Sequence, residues 1–366
     1  RWASLAALVA VGTTGALSFL CMRLPLDRSA FVLGQEVAFG RPVVIVGNTL
    51  ALDPAGKAWL ALIFALTTLL YLFAWRMAQG RSFFSFSLTI LSLYALIALL
   101  QSFPLAVLVY GMAATPIVFI VQAGQHGSVR GAQRYLLVML LGVPLLLAAA
   151  WLVGQSPVNP DSAEMARLAL LPAAFGFGLL LAVFPFGTWM PALAADAPPI
   201  VTAFVFTVAQ VMAIYLAVVF LRDAPWPLDD RGTLDMVQLA GLVMVASGGV
   251  MAAVQRDWRR VFGYAALSDA GYILLAFGIG GSQGLALTLL HVSSRSLSIT
   301  LMAAALAILH HRATTTAFAG LGGAARRLPI TLFGLILGGL ALAGFPVTAG
   351  FPTHWAIGRA ASSDLS

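Results

Sequence analysis

The stretch Met165-Ala-Arg-Leu-Ala-Leu-Leu-Pro172-Ala-Ala-Phe-Gly176-Phe-Gly178-Leu-Leu-Leu-Ala-Val-Phe-Pro185-Phe-Gly-Thr-Trp189 decides the fold. Arg167 is its single charged residue, and the run is longer than the roughly 20 apolar residues a membrane-spanning helix needs. Its prolines and glycines free backbone polar groups, which lipid cannot satisfy; neighbouring helices or a water-filled cavity must do so. The stretch therefore reads as a membrane helix with interruptions at Pro172 and Pro185.

Outward from it, the same criterion marks spans at about 2–22, 57–75, 82–102, 104–124, 134–154, 199–221, 235–254, 260–280, 284–309 and 329–350. With 165–189 that makes about eleven transmembrane helices, and the fold class is all-α integral membrane, multi-pass. Only 9% of residues are charged and 61% are hydrophobic, against roughly 25% charged in a soluble domain, so a water-soluble fold is excluded. No polar linker divides the chain, which reads as one transmembrane domain over 1–366. The run from 329 ends in Ala-Gly-Phe345-Pro346-Val-Thr-Ala-Gly350, a second interruption, at Pro346. If five helices over about 82–221 form one repeat and those over about 235–366 a second, incomplete one, each interruption falls in the fourth helix. Corresponding broken helices are the mark of inverted repeats in transporters. The long loop before the second helix holds Arg41-Pro-Val-Val-Ile-Val-Gly-Asn-Thr-Leu-Ala-Leu-Asp53, whose alternation predicts a β-hairpin on the membrane surface.

The formal charge of +7 comes from arginines at helix ends. Arg76, Arg81, Arg130, Arg134, Arg256, Arg259, Arg260, Arg312, Arg326 and Arg327 fall on one side, and Asp161, Glu164, Asp223, Asp229, Asp230 and Asp235 on the other. By the positive-inside rule the first side is cytoplasmic, and no nucleic-acid partner is implied. Trp189, Trp226, Trp258 and Trp355 near span ends read as interfacial anchors. The lone Cys21 gives neither an internal disulfide nor a cysteine metal cluster, and no zinc site or nucleophile emerges. The chain starts at Arg1 without Met, and parts of the gene product are expected beyond both ends.

Several motifs carry a family resemblance. Phe184-Pro-Phe-Gly-Thr-Trp-Met-Pro191 followed by Ala197-Pro198 resembles the Pro-Phe-His-x-Trp-Leu-Pro signature of the antiporter-like subunits of respiratory complex I, relatives of the large subunits of cation/proton antiporters. Gln255-Arg-Asp257-Trp-Arg259-Arg260 with Tyr264, Ser268, Gly271 and Tyr272, then His291-Val-Ser-Ser-Arg295, Gly344-Phe-Pro-x-Thr-Ala-Gly-Phe351 and Leu52-Asp53 are similar to further motifs of that family, in the same order. The resemblance implies a fourteen-helix family, of which this chain would hold the second helix through about the twelfth.

The departures are informative. Gly111 stands where the family has a Glu, Leu180 where it has a buried Lys, and Gln210-Val211 where a further Lys is common; Lys57 is the only lysine. A buried Lys can load protons because desolvation brings its pKa towards neutrality. Leucine, glycine and valine cannot, so the first half-channel reads as inactive.

The second half keeps ionisable groups. Asp269 lies near mid-helix, and His291 and Arg295, four residues apart, share a face of the next helix with Ser294 and Ser298 close by. A mid-membrane charge costs roughly 2.5–3.5 kcal/mol, so Arg295 and Asp269 are expected to face inward and pair. Arginine does not deprotonate, whereas an unperturbed imidazole titrates near about pH 6.5. Two readings stand: a relay in which His291 passes protons, tuned by the Arg295–Asp269 pair, or an ion pair with a hydrogen-bonded histidine that holds two helices in register.

By resemblance the chain is a membrane-arm subunit of a complex I-type oxidoreductase of NADH, or another donor, and quinone, taking part in or derived from proton translocation. It would bind no cofactor itself; quinone and redox groups would belong to partner membrane subunits, in a bacterial inner (cytoplasmic) membrane. The alternatives are a non-conducting adaptor in another complex, or a subunit of a cation/proton antiporter or bicarbonate-uptake system.

Overall fold

The computed structural model describes all residues except 1, 27–29, 33–34, 38–39, 46, 78, 81, 123–128, 156–161, 225–229, 314 and 365–366. Arg81, Asp161, Trp226 and Asp229 thus lie outside the described residues. Helix α1 (Trp2–Arg23) is followed by two antiparallel hairpins, β1 (Ala30–Val32) with β2 (Gln35–Val37), and β3 (Val43–Ile45) with β4 (Asn48–Leu50). The second is the hairpin foreseen in the long loop. Then come α2 (Pro54–Ala74), α3 (Phe83–Leu99), α4 (Phe103–Gln122), α5 (Arg130–Gln155) and α6 (Ser162–Leu180). After a break follow α7 (Trp189–Asp196), α8 (Pro199–Phe204) and α9 (Gln210–Asp223), the last two joined by a π-helical turn over Val205–Ala209. The second half holds α10 (Arg231–Ala253), α11 (Trp258–Ile279), α12 (Gly281–Ala313), the short α13 (Ala324–Arg327), α14 (Pro329–Leu342) and α15 (Phe351–Asp364). Eight helices among the described residues are long and apolar enough to cross a membrane, and three shorter ones, Phe83–Leu99, Arg167–Leu180 and Pro329–Leu342, are apolar as well.

Local chemistry starts several of these helices. Asp53 precedes Pro54, and its Oδ1 accepts from Gly56 N at 2.6 Å; Asp230 and Asp257 cap α10 and α11 in the same way. The Thr233 hydroxyl and backbone N–H hold the Asp230 carboxyl below its usual range. That cap's contribution is therefore present at neutral pH and lost as pH falls through the lowered value.

Loops assigned to one side by charge meet one another. On the arginine side, Trp258 N donates to Thr316 O at 3.1 Å and Thr316 Oγ1 to Asp257 Oδ2 at 2.8 Å. On the other, Gln101 N donates to Thr49 O at 3.2 Å, tying the hairpin to the α3–α4 turn, and Arg222 pairs with Asp53 at 3.1 Å.

Both interrupted helices end alike. At the first, Ala182 adopts φ 62°, Val183 N donates to Gly178 O at 2.7 Å and Ala182 N to Leu179 O at 3.3 Å. At the second, Gly344 adopts φ 67°, Phe345 N donates to Leu340 O at 2.9 Å and Gly344 N to Ala341 O at 3.2 Å. These are paired Schellman caps, which satisfy carbonyls that lipid could not. Pro185 and Pro346 lie in the segments between α6 and α7 and between α14 and α15, but Pro172 is not a break: it lies inside α6, as Pro116 does in α4 and Pro144 in α5. A single interior proline removes one N–H and kinks a helix without having to end it, whereas α6 ends at the Schellman cap built on left-handed Ala182. Gly176 is a packing residue, since a Cβ there would meet Leu146 side-chain atoms at 2.7 and 2.8 Å. Trp189 is likewise no interfacial anchor: it is 2% exposed and packs edge-on against Tyr135 and Phe206. Alanine in the left-handed region costs about 1 kcal/mol that glycine does not. Ala182→Gly is thus expected to raise the thermal midpoint in detergent, and a lowered midpoint would refute this account of the first break.

Candidate functional site

Asp269 on α11 is 1% exposed and lies where α12, α15 and the π-helical turn converge. Its Oδ2 sits 2.7 Å from Arg295 Nε; its Oδ1 sits 3.2 Å from His354 Nε2 and 3.6 Å from His291 Nε2. The sequence-predicted pair of Asp269 and Arg295 is therefore formed, with His291 beside it. His354, on the helix that resumes after the second break, completes the group; its sequence signal was a lone histidine three residues past Phe351, beyond the end of the marked span. The Arg295 contact is an ion pair, whereas each histidine contact is one only when that imidazole is protonated.

Three of the four remaining N–H donors of Arg295 are used. Nη1 donates to Phe206 O at 2.8 Å, and Nη2 to Gln210 Oε1 and Ala266 O, each at 3.0 Å. Phe206 lies in the π-helical turn, where backbone pairing is displaced by one residue and a carbonyl becomes available. Gln210 in turn donates from Nε2 to Leu181 O at 3.5 Å, at the first break. A polar thread thus runs from the first break through Gln210, Arg295 and Asp269 to His354.

The second end of the thread fixes the histidines. His354 Nδ1 faces Gly350 O at 2.9 Å, and because a carbonyl only accepts, Nδ1 carries a hydrogen. The nitrogen facing Asp269 is therefore Nε2, and one proton can rest on it or on the carboxylate. His291 Nε2 faces the Asp269 backbone carbonyl at 3.3 Å, and its Nδ1 faces Thr353 Oγ1 at 3.2 Å. The two imidazoles lie 4.9 Å apart, centre to centre, and Tyr272 packs edge-on against His354 at 4.2 Å. With Asp269 and Arg295 neutralising each other, the group carries zero or one positive charge; two buried imidazolium ions this close would repel strongly. The arrangement can hold one exchangeable proton. Asp269, His291 and His354 also offer one ligand atom each within 4.8 Å of one another, but a divalent cation there would share its carboxylate with the Arg295 guanidinium.

Ser294 and Ser298 are not part of this group. Ser294 Oγ donates to Ala349 O at 2.8 Å and so satisfies a carbonyl of the second break, while Ser298 bonds Ser294 O within its own helix. In the first half, Leu180 and Val211 are each 1% exposed. A Cβ on Gly142 would meet Leu180 Cδ1 at 2.4 Å, so that leucine fills a tight apolar slot. Among the described residues of 82–221, the buried polar side chains besides tyrosines and Trp189 are Ser87, Thr202, Thr207 and Gln210, with no ionisable acid or base.

A bundle of apolar helices with two matching breaks and a buried acid–base group beside the second defines an antiporter-like membrane subunit. Residues 82–362 match the family described as NADH:quinone oxidoreductase/Mrp antiporter, transmembrane, and the chain belongs to that family. It is 28% identical over 251 residues to NADH-quinone oxidoreductase subunit N of Desulforudis audaxviator, covering 63% of this chain and 49% of that one. It is 27% identical over 215 residues to a hydrogenase-4 component F homolog of Methylacidiphilum infernorum, covering 58% and 44%. The chain spans about half the length of the relatives it matches. Its fold is that of a chain in the Mrp complex from a Dietzia species (TM-score 0.83, 19% identity, 99% of this chain and 70% of that one). It is also that of a chain in respiratory complex I from Thermus thermophilus (TM-score 0.71, 18% identity, 99% and 83%).

Proposed function

We propose that this chain is a membrane-arm, antiporter-like subunit of a complex I-type oxidoreductase of NADH, or another donor, and quinone, in a bacterial inner membrane. In this reading its second half passes protons and its first half does not. The observation that carries it is Asp269, buried at mid-helix, held by Arg295 on one oxygen and faced by His291 and His354 on the other. Such a group costs folding energy in a membrane and marks ion pathways. Arg295 keeps its proton and sets the local field, while His354 and His291 exchange one. The two repeats, about 82–221 and 235–366, would each hold one broken helix, and the apolar packing around Leu180 closes the first as a proton path. Electron transfer would take place in partner subunits that hold the redox groups and quinone.

Purification from the native membrane in mild detergent, with identification of the co-purifying chains by mass spectrometry, tests the assembly. Redox and quinone-binding subunits are the expected partners. Recovery with small antiporter subunits, or with an unrelated membrane enzyme and no redox arm, would overturn the oxidoreductase assignment.

A further inference from the structure

At the arginine-bearing end of the molecule, α5, α7 and α11 border an open cleft of about 430 Å3 lined by the exposed Arg130, Arg134, Arg260 and Thr188 and the half-buried Tyr264 and Asp196. Two glycines bring these groups together. A Cβ on Gly131 would lie 2.8 Å from Leu193 Cα and 2.9 Å from Ala192 O, and one on Gly263 would lie 2.5 Å from Pro191 Cα. Only glycine lets the α5 and α11 backbones close on α7 so tightly. Gly131 sits between Arg130 and Arg134, and Gly263 between Arg260 and Tyr264, so the close approach delivers three guanidinium groups from two helices to one cleft.

The charges to be matched are those of Arg134 and Arg260. Asp196 is the cleft's single acid, and Asp196 Oδ2 already accepts from Gly131 N at 2.8 Å. Neither Arg134 nor Arg260 has an acidic oxygen within 4 Å among the described residues. Orientation in the membrane requires arginines on this side but not their convergence on one cleft, which raises the local positive potential and so favours a bound anion. Guanidinium forks match the oxygens of a phosphate, and the Tyr264 and Thr188 hydroxyls add neutral donors. We propose that this cleft binds a phosphate group, either the headgroup phosphate of an anionic phospholipid or a free phosphate ion, and so clamps α5 of the first half to α11 of the second.

The test uses the intact assembly extracted in mild detergent, and compares wild type with Arg134→Gln/Arg260→Gln and with Arg326→Gln/Arg327→Gln, which removes equal charge from the same side outside the cleft. Native mass spectrometry reads bound phosphatidylglycerol and cardiolipin, and thermal shift reads stabilisation by inorganic phosphate. A loss of about tenfold in bound lipid, confined to the Arg134/Arg260 variant, assigns a lipid headgroup. A phosphate-dependent shift lost only in that variant, with no retained lipid, assigns the free ion. An Arg134→Lys/Arg260→Lys variant keeps the charge without the fork and is expected to recover part of the binding. Equal lipid content and equal phosphate response in wild type and both Gln variants would overturn the proposal.

Discussion

Asp269→Ala is expected to cost about 3–5 kcal/mol, because it leaves the buried Arg295 guanidinium without its counter-charge. Arg295 is 3% exposed and fixed by Phe206 O, Gln210 and Ala266 O, so it cannot swing out to water without abandoning those bonds. The measurement is the yield and thermal midpoint of the assembly in detergent. Replacing both members, Asp269→Leu with Arg295→Met, removes the stranded charge and is expected to cost less than Asp269→Ala alone, although three acceptors lose their donor. A double variant as damaged as the sum of the two singles would show that the pair is not coupled, and would sink the view that Arg295 is held in the membrane by Asp269.

The second large effect concerns the break that presents His354. Gly344 stands at φ 67°, and a Cβ there would fall 2.5 Å from His354 Cγ and 2.8 Å from its Cβ and Cδ2. Gly344→Ala therefore adds left-handed strain and drives the imidazole away from Asp269. Strain and overpacking together are expected to destabilise by roughly 2–4 kcal/mol. Proton transfer should fall with stability, because His354 no longer meets the carboxylate. If Gly344→Ala kept wild-type stability and transport, the Schellman cap would not be what positions His354.

Composition and run length were enough to read the membrane class, since apolar runs bounded by charge leave few alternatives. The two breaks were legible at Pro185 and Pro346, where proline coincides with a left-handed residue shortly before it. Pro172 misled because an interior proline and one at a helix break look the same until the dihedrals of the residues before it are known. Pairing of Asp269 with Arg295 followed from the cost of unpaired charge in lipid. His354 did not, because the apolar run ends before it and nothing local shows that the chain turns back into helix. Gln210 was legible only as a missing lysine; its bond to Arg295 depends on the π-helical turn, which leaves no periodicity to detect.

The proposed proton path runs through Asp269 and His354 in the second half, with none in the first. Proton uptake into sealed vesicles by the intact assembly tests it, comparing His354→Ala with Tyr110→Phe, a buried first-half position whose hydroxyl donates to Ala209 O at 3.2 Å. The prediction is a fall of roughly tenfold or more for His354→Ala with the assembly still formed, and Tyr110→Phe within about twofold of wild type. Wild-type pumping by an assembled His354→Ala variant, or loss of pumping on Tyr110→Phe, would contradict it.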